Sequence, residues 1–205
     1  MYEIIDLEQG SQKWHQFRSN HIGGSDAPII MGLSPWMKET QLWVIKMGFK
    51  EPQIMTDKMK RGQDLEPLVR EWYENETRDK FTPVVLKSKI YPFMSASLDG
   101  LSNVNPIYII EIKCPNEDTH ELACAGIIKD YYMCQIQHCL FVVGCQKCQY
   151  ISYRPESNQK YAVLEIKRDE VQIEKIIEQE KRFWNCMINM TEPEKPWDLK
   201  RKTFT

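Results

Sequence analysis

An α/β (α+β layered) domain, a central mixed β-sheet flanked by helices, is the fold class this sequence predicts, and three observations predict it. Apolar residues recur at helical spacing through the N-terminal third. From about residue 81 the pattern changes to alternating and β-branched runs, and after residue 169 a long amphipathic segment returns. The 205 residues read as one domain over 1–205, long enough for a sizeable core, without repeats, low-complexity tracts or linker-like runs.

Each element has a local reason. Ser11 caps a short helix carrying Trp14 and Phe17. Gly23-Gly24-Ser25-Asp26 turns tightly into a second helix, with Ser25 as N-cap and Pro28 in the first turn; Gly32 and Ser34-Pro35 end it. A third helix at 40–47 stops at Gly48. A longer helix, or a helix pair, covers 57–75 with Leu65, Leu68, Val69 and Trp72 as its core stripe. Strands at 81–86, 91–98 and 107–114 form a meander broken by Pro92 and by 102–106. A helix at about 129–143 and strands near 149–154 and 161–166 come next. The closing helix, about 169–190, uses Ile173, Ile176, Ile177, Phe183, Trp184 and Met187. The last dozen residues, rich in Pro and Lys, read as a tail.

Composition bounds the function without choosing it. With 42% hydrophobic and 27% charged residues the chain is globular rather than disordered. The formal charge of −2 is neutral evidence on nucleic acid, because cations lining one groove serve an acidic enzyme equally well. No apolar run reaches the roughly 18 residues of a membrane span. The N-terminus lacks the basic and apolar regions of a signal peptide. The expectation is a cytosolic protein of a bacterium or its phage, or an intracellular viral protein. Seven scattered cysteines argue against a disulfide framework. Cys139, Cys145 and Cys148, with His138 alongside, are the one set near metal or iron–sulfur spacing. Cys139 falls on a predicted helix and the other two on a predicted hairpin, so the sequence favours free thiols.

The chemistry concentrates in residues 107–115, Ile-Tyr-Ile-Ile-Glu-Ile-Lys-Cys-Pro, which read as a central strand buried on both faces. Side chains alternate, so Ile110, Ile112 and Cys114 share one face and Ile109, Glu111 and Lys113 the other. Burying either charge alone costs on the order of several kcal/mol, and a divalent cation on Glu111 would compensate. Ser97-Leu98-Asp99-Gly100 supplies a second carboxylate at the end of the preceding predicted strand. Asp, then Glu-x-Lys after a hairpin-length interval, suits phosphodiester hydrolysis. Asp99, Glu111 and the Ile112 carbonyl can ligate one or two Mg²⁺ ions, and Lys113 would sit beside the attacking water. The bland alternative is a half-exposed strand with a surface Glu–Lys pair. Glu66 neighbours Gly62 and Arg70 rather than the apolar stripe, as a solvated carboxylate or a further acid of the site. Gln135 shares a stripe with Ile128, Tyr132, Cys139 and Val142. An amide aimed there needs partners, either core backbone or a bound phosphate or its water.

Six motifs then stand in order: Trp14-His15-x-x-Arg18, Gly24-Ser25-Asp26, Arg61-Gly62 with Glu66, Ser97-Leu98-Asp99-Gly100, Glu111-Ile112-Lys113-Cys114-Pro115, and Tyr132-Met133-Cys134-Gln135-Ile136-Gln137. Together, over about residues 11–166, they closely resemble the phage lambda exonuclease/YqaJ-like recombinase family of the PD-(D/E)XK nuclease superfamily. The resemblance implies a restriction-endonuclease-like core and a Mg²⁺-dependent alkaline exonuclease, with Mn²⁺ as substitute and two ions per site. Such an enzyme degrades one strand of duplex DNA from the 5′ end, leaves a 3′ overhang for a single-strand annealing protein, and works as a ring trimer. It implies Asp99 and Glu111 as metal ligands, Lys113 as catalytic lysine, Glu66 as an additional acid and Gln135 as the glutamine on the phosphate or its water. Arg18 and Ser25, at the turn into a helix N-terminus, would take the terminal 5′-phosphate, with Ser97 and Tyr132 among the DNA contacts. Two departures stand out: Leu98 replaces the usual proline before the aspartate, and no arginine follows Pro115 where lambda-type enzymes carry one. An endonuclease needing no end, or a DNA-binding module that has lost activity, would use the same fold. The intact carboxylates and lysine weigh against the latter.

Overall fold

A helix over Asp57–Thr77 and another over Asp130–Val143 sandwich a six-stranded sheet between them. The structure, a computed structural model, describes residues 1–51 and 55–194, so all but the first residue of the expected tail lies outside the described residues. In chain order the elements are β1 (Tyr2–Ile5), α1 (Gln12–Ser19), α2 (Ala27–Ile30), α3 (Glu39–Lys46), α4 (Asp57–Thr77), β2 (Phe81–Ser88), β3 (Ser95–Ser102) and β4 (Ile109–Lys113). They continue as α5 (Glu117–Cys124), α6 (Asp130–Val143), β5 (Lys147–Tyr153), β6 (Tyr161–Lys167) and α7 (Glu170–Ile188). The strands lie in sequence order. β4 and β5 run parallel, joined by a crossover through α5 and α6; the other neighbours are antiparallel. This is the α/β layered fold that the change of hydrophobic period predicts. No helix among the described residues is long and apolar enough to cross a membrane.

The two faces of β4 divide as the alternation requires. Ile109 joins Leu86, Leu98, Ile136, Leu140 and Tyr150 under α6, while Ile110 and Ile112 join Val69, Tyr73, Phe81 and Ile151 under α4. A third cluster, Ile22, Ile30, Leu42, Trp43 and Phe183, packs the N-terminal helices against α7. Ser11 and Asp169 cap α1 and α7 by accepting the amides of Trp14 and Gln172.

Several expectations need correction. Ser25 does not cap α2: Asp26 holds that position, with helical backbone angles and no side-chain cap, and α2 is a single turn of four residues. Leu68 is 57% exposed, and Tyr73 takes its place in the α4 stripe, because the stripe is too narrow for both sides of Val69. Asp99 lies inside β3 rather than at its end. β1 and α5 went unforeseen. β1 is a short edge strand whose reason lies across the chain, in its pairing with β2. α5 is marked by Asn116 at its N-cap, Glu117 and Asp118 in its first turn and Gly126 at positive φ beyond its end. It is pinned by buried His120, which bonds Ser152 Oγ at 2.8 Å and the Gln159 carbonyl at 2.6 Å.

Beneath the N-terminal helices lies a buried polar pillar. His138 Nδ1 is 2.7 Å from Glu180 Oε1 and its Nε2 2.8 Å from the Ser95 carbonyl, so α6, α7 and β3 share one imidazole. Asp26 pairs with Lys46 at 2.6 Å, and the same ammonium donates to the carbonyls of Arg18 and His21. Removing one partner of such a pair strands a charge, at a cost of roughly 3–5 kcal/mol. The stretch from Arg18 at the end of α1 to Ser25 is thereby fixed from inside.

Candidate active site

The site begins where β3 and β4 separate. They pair only at Gly100↔Ile110 and Leu101↔Ile109. Against β2, Thr82 faces Leu101 and Val84 faces Leu98, so β3 takes three steps where β2 takes two. That bulge falls on Asp99-Gly100, opposite Pro83, which has no N–H for the ladder. Gly100 is needed there: a Cβ would lie 2.7 Å from the Phe81 Cβ and 2.8 Å from the Ile110 Cδ1. The extra residue re-aims Asp99, whose Oδ2 accepts the Ile112 N–H at 2.7 Å in place of a ladder bond. An extended residue turns its N–H and C=O toward the same neighbour, so the Ile112 carbonyl faces the same opening. Leu98, just before Asp99, is fully buried under α6.

Glu111, 2% exposed, faces α6. Its Oε1 accepts from Lys113 Nζ at 2.5 Å and from Gln135 Nε2 at 2.6 Å. Gln135 therefore has a carboxylate partner, which settles why an amide interrupts that stripe. The Lys113 ammonium lies 5.5 Å from the Tyr132 ring centre. From the other side α4 brings Glu66, bonded to Arg70 Nη1 at 3.0 Å, and the same Arg70 nitrogen donates to the Asp99 carbonyl. Arg70, one helical turn after Glu66, is a site residue that sequence reasoning treated only as a neighbour; the i, i+4 spacing was its signal.

The electrostatics are those of three acids sharing two cations. Burial, then Asp99 and Glu66, push the Glu111 carboxyl up to about 7 against the pull of Lys113. Burial also raises Asp99, and burial with the Asp99 charge raises Glu66. Although burial disfavours its charge, Glu111 and Asp99 hold Lys113 above its ordinary value. Among the described residues no three His, Cys, Asp or Glu side chains converge on a ready-made metal position; Lys113 and Gln135 occupy the Glu111 oxygen instead. The donors are nonetheless hard oxygens, and their mutual repulsion shows that the cluster lacks positive charge, so the residues fit a divalent cation such as Mg²⁺.

The remaining candidates radiate from this centre. Trp14 Nε1 donates to Ser97 Oγ at 2.9 Å, the Arg18 guanidinium lies 4.6 Å from the Trp14 ring centre, and Arg18 Nη2 donates to Ser25 Oγ at 2.5 Å. Ser97, two residues before Asp99, thus joins α1 to β3. Gly24 presses on α6: a Cβ there would come within 2.8 Å of Cys139 Sγ and 3.3 Å of Gln135 Cγ. α2 is one turn and so lacks the helix N-terminus expected for an anion, and Arg18 and Ser25 are bonded to each other at this turn. Cys139, Cys145 and Cys148 are buried in the core under α6, and His138 turns to Glu180 instead of to them.

A bulged strand presenting Asp, a parted neighbour presenting Glu-x-Lys, and a helix glutamine closing on the Glu define a PD-(D/E)XK nuclease-type domain. The profile of the YqaJ-like viral recombinase domain matches residues 13–146, and the chain belongs to that family. A Bacillus subtilis (strain 168) relative, the uncharacterized protein YqaJ, is 30% identical over 185 residues, covering 88% of this chain and 57% of its own. The chain thus spans little more than half the length of that relative. Among solved structures, the alkaline exonuclease LHK-Exo of Laribacter hongkongensis superposes with a TM-score of 0.77 at 27% identity, covering 94% of this chain and 98% of that one. A phage-related exonuclease from Haemophilus somnus 129PT shares the fold, with a TM-score of 0.61 at 15% identity over 83% of this chain and 96% of its own.

The repulsion makes a testable claim. The folded Glu111 carboxyl titrates near 7 against an ordinary 4.5. Its proton therefore stabilises the fold fully below about pH 4.5, and that stability is lost as pH rises through 7. In metal-free buffer the domain should melt lower at pH 8 than at pH 6. Asp99→Asn keeps an acceptor for Ile112 but removes one repelling charge. It should raise the melting temperature at pH 8, with a smaller gain at pH 5. A variant melting below the wild type at pH 8 would contradict this account of the cluster.

Proposed function

We propose that this chain is a divalent-metal-dependent exonuclease that degrades one strand of linear duplex DNA from its 5′ end and leaves a 3′ single-stranded overhang for a strand-annealing protein. The observation that carries the proposal is the meeting of Asp99, Glu111, Lys113 and Gln135 at one strand opening, in a fold shared with an alkaline exonuclease. Family membership supports the recombination role.

In this reading Asp99, Glu111 and the Ile112 carbonyl would hold the metal, Mg²⁺ or Mn²⁺ with two ions per site, and Glu66 would be the additional acid. When bound, the metal supplies charge relief at the attacked phosphate and lowers the pKa of the attacking water. Lys113, held charged by its two carboxylates, stabilises negative charge as it develops on the phosphate. Gln135 orients the Glu111 carboxylate, and Arg70 fixes both Glu66 and the backbone of Asp99. Arg18 and Ser25 take the terminal 5′-phosphate, with Ser97 and Tyr132 lining the approach. The cytoplasm of a bacterial host is the setting that suits such a reaction, and a ring of three chains is the assembly that the family resemblance favours. A monomer by light scattering that remains active would contradict the ring.

Three experiments test the reading. End-labelled linear duplex should be digested with Mg²⁺ or Mn²⁺ and spared with chelator, while closed circular plasmid survives. Glu111→Gln, Asp99→Asn and Lys113→Ala should each lower the rate by at least about a hundredfold with the fold intact, and the losses should not add, because the groups act together. Undiminished digestion by Glu111→Gln would sink the assignment. Separately, duplexes with 5′-phosphate ends should be consumed faster than the same duplexes with 5′-hydroxyl ends, and Arg18→Ala should narrow that gap more than it weakens binding. Equal rates on both ends would remove the terminal-phosphate pocket.

A further inference from the structure

Arg154 stands immediately beyond β5, two residues past Ser152, the register partner of Lys113. Its backbone is anchored, with its N–H on the Lys160 carbonyl at 2.9 Å. Its guanidinium is not. Nη1 reaches the Pro115 carbonyl only at 3.5 Å, Nη2 is 4.0 Å from the carboxylate of largely exposed Glu117, and buried Nε has no hydrogen-bond partner among the described residues. By contrast Arg61, Arg70, Arg168 and Arg182 each hold a carboxylate at hydrogen-bond distance. Pro115 follows Lys113 by two residues, so this under-satisfied fork stands just past the end of the strand that carries the site.

A second cation lies at the same end. Arg61, in the first turns of α4, grips Glu156 through both carboxylate oxygens at 2.6 and 2.7 Å. That pair is about half exposed, 43% and 54%, and Glu156 is two residues from Arg154. An exposed pair of this kind contributes little and is easily exchanged for a better anion. The charge of Arg61 also reaches the Cys114 thiol, between Lys113 and Pro115.

We infer that Arg154 binds the phosphodiester backbone beside the scissile phosphate, with Arg61 as a second backbone contact that Glu156 covers until the strand arrives. A phosphate offers the planar fork of arginine several charged oxygens at once, which neither the Pro115 carbonyl nor distant Glu117 can. The inference rests on the nuclease reading of the neighbouring site, but its test does not use cleavage.

The probe is a short blunt duplex with 5′-phosphates, titrated onto the full chain in chelator over a range of salt concentrations. Arg154→Ala should weaken binding and reduce the slope of log affinity against log salt by about 0.9, the value of one lost phosphate contact. Glu156→Gln should tighten binding by roughly twofold to fivefold, the range an exposed ion pair allows, and adding Arg61→Ala should cancel that gain. An Arg154→Ala protein with wild-type melting temperature and an unchanged slope would overturn the inference. If Arg154→Ala does not fold, Glu156→Gln and Arg61→Ala change exposed side chains, and no change in affinity from either overturns it instead. A protein that binds in this pattern yet cannot digest ends would sink the exonuclease reading and leave the contact standing. Digestion of ends with an unmoved Arg154→Ala slope would do the reverse.

Discussion

The bond from the Ile112 amide to the Asp99 carboxylate is the constraint on which the site depends. Two antiparallel strands would ordinarily continue their ladder, and β3 and β4 stop after two residue pairs. The bulge at Asp99-Gly100 ends the ladder, and the aspartate then supplies the acceptor the backbone withdrew, so the Ile112 amide keeps a partner. One side chain therefore both repairs the sheet and stands beside Glu111. Pro83, unable to donate, and Gly100, without a Cβ, permit the geometry from either side.

Everything else around the cluster manages charge. Glu111 is buried with one ammonium and one amide on a single oxygen, while Asp99 and Glu66 crowd it with further negative charge. Such a site costs the fold stability, as functional clusters often do. The cost is carried by apolar packing on both faces and by buried pairs remote from the opening, His138 with Glu180 and Asp26 with Lys46.

How much of this was legible in sequence followed the range of the interactions. Alternation placed Glu111 and Lys113 on one face of a buried strand, and the odd amide in an apolar stripe marked Gln135 as needing a partner. Both are local signals. Ser11 announced its helix for the same reason. What escaped depended on distant residues: the β3 bulge arises from register with β2, the β1 strand exists only by pairing, and Glu180 finds His138 forty-two residues away. Ser25 looked like a cap because its type is right for one, but Arg18 had the stronger claim on its hydroxyl. Leu68 sat at helical spacing yet faces solvent, since periodicity cannot tell how wide the buried stripe is.

The parallel pairing of β4 with β5 has a consequence in time. Unlike a hairpin, it cannot form until the intervening chain through α5 and α6 has been made and wound. Gln135 lies on that intervening α6, and the acids it serves come from α4, β3 and β4. The cluster therefore cannot be complete before the chain through α6 has been made.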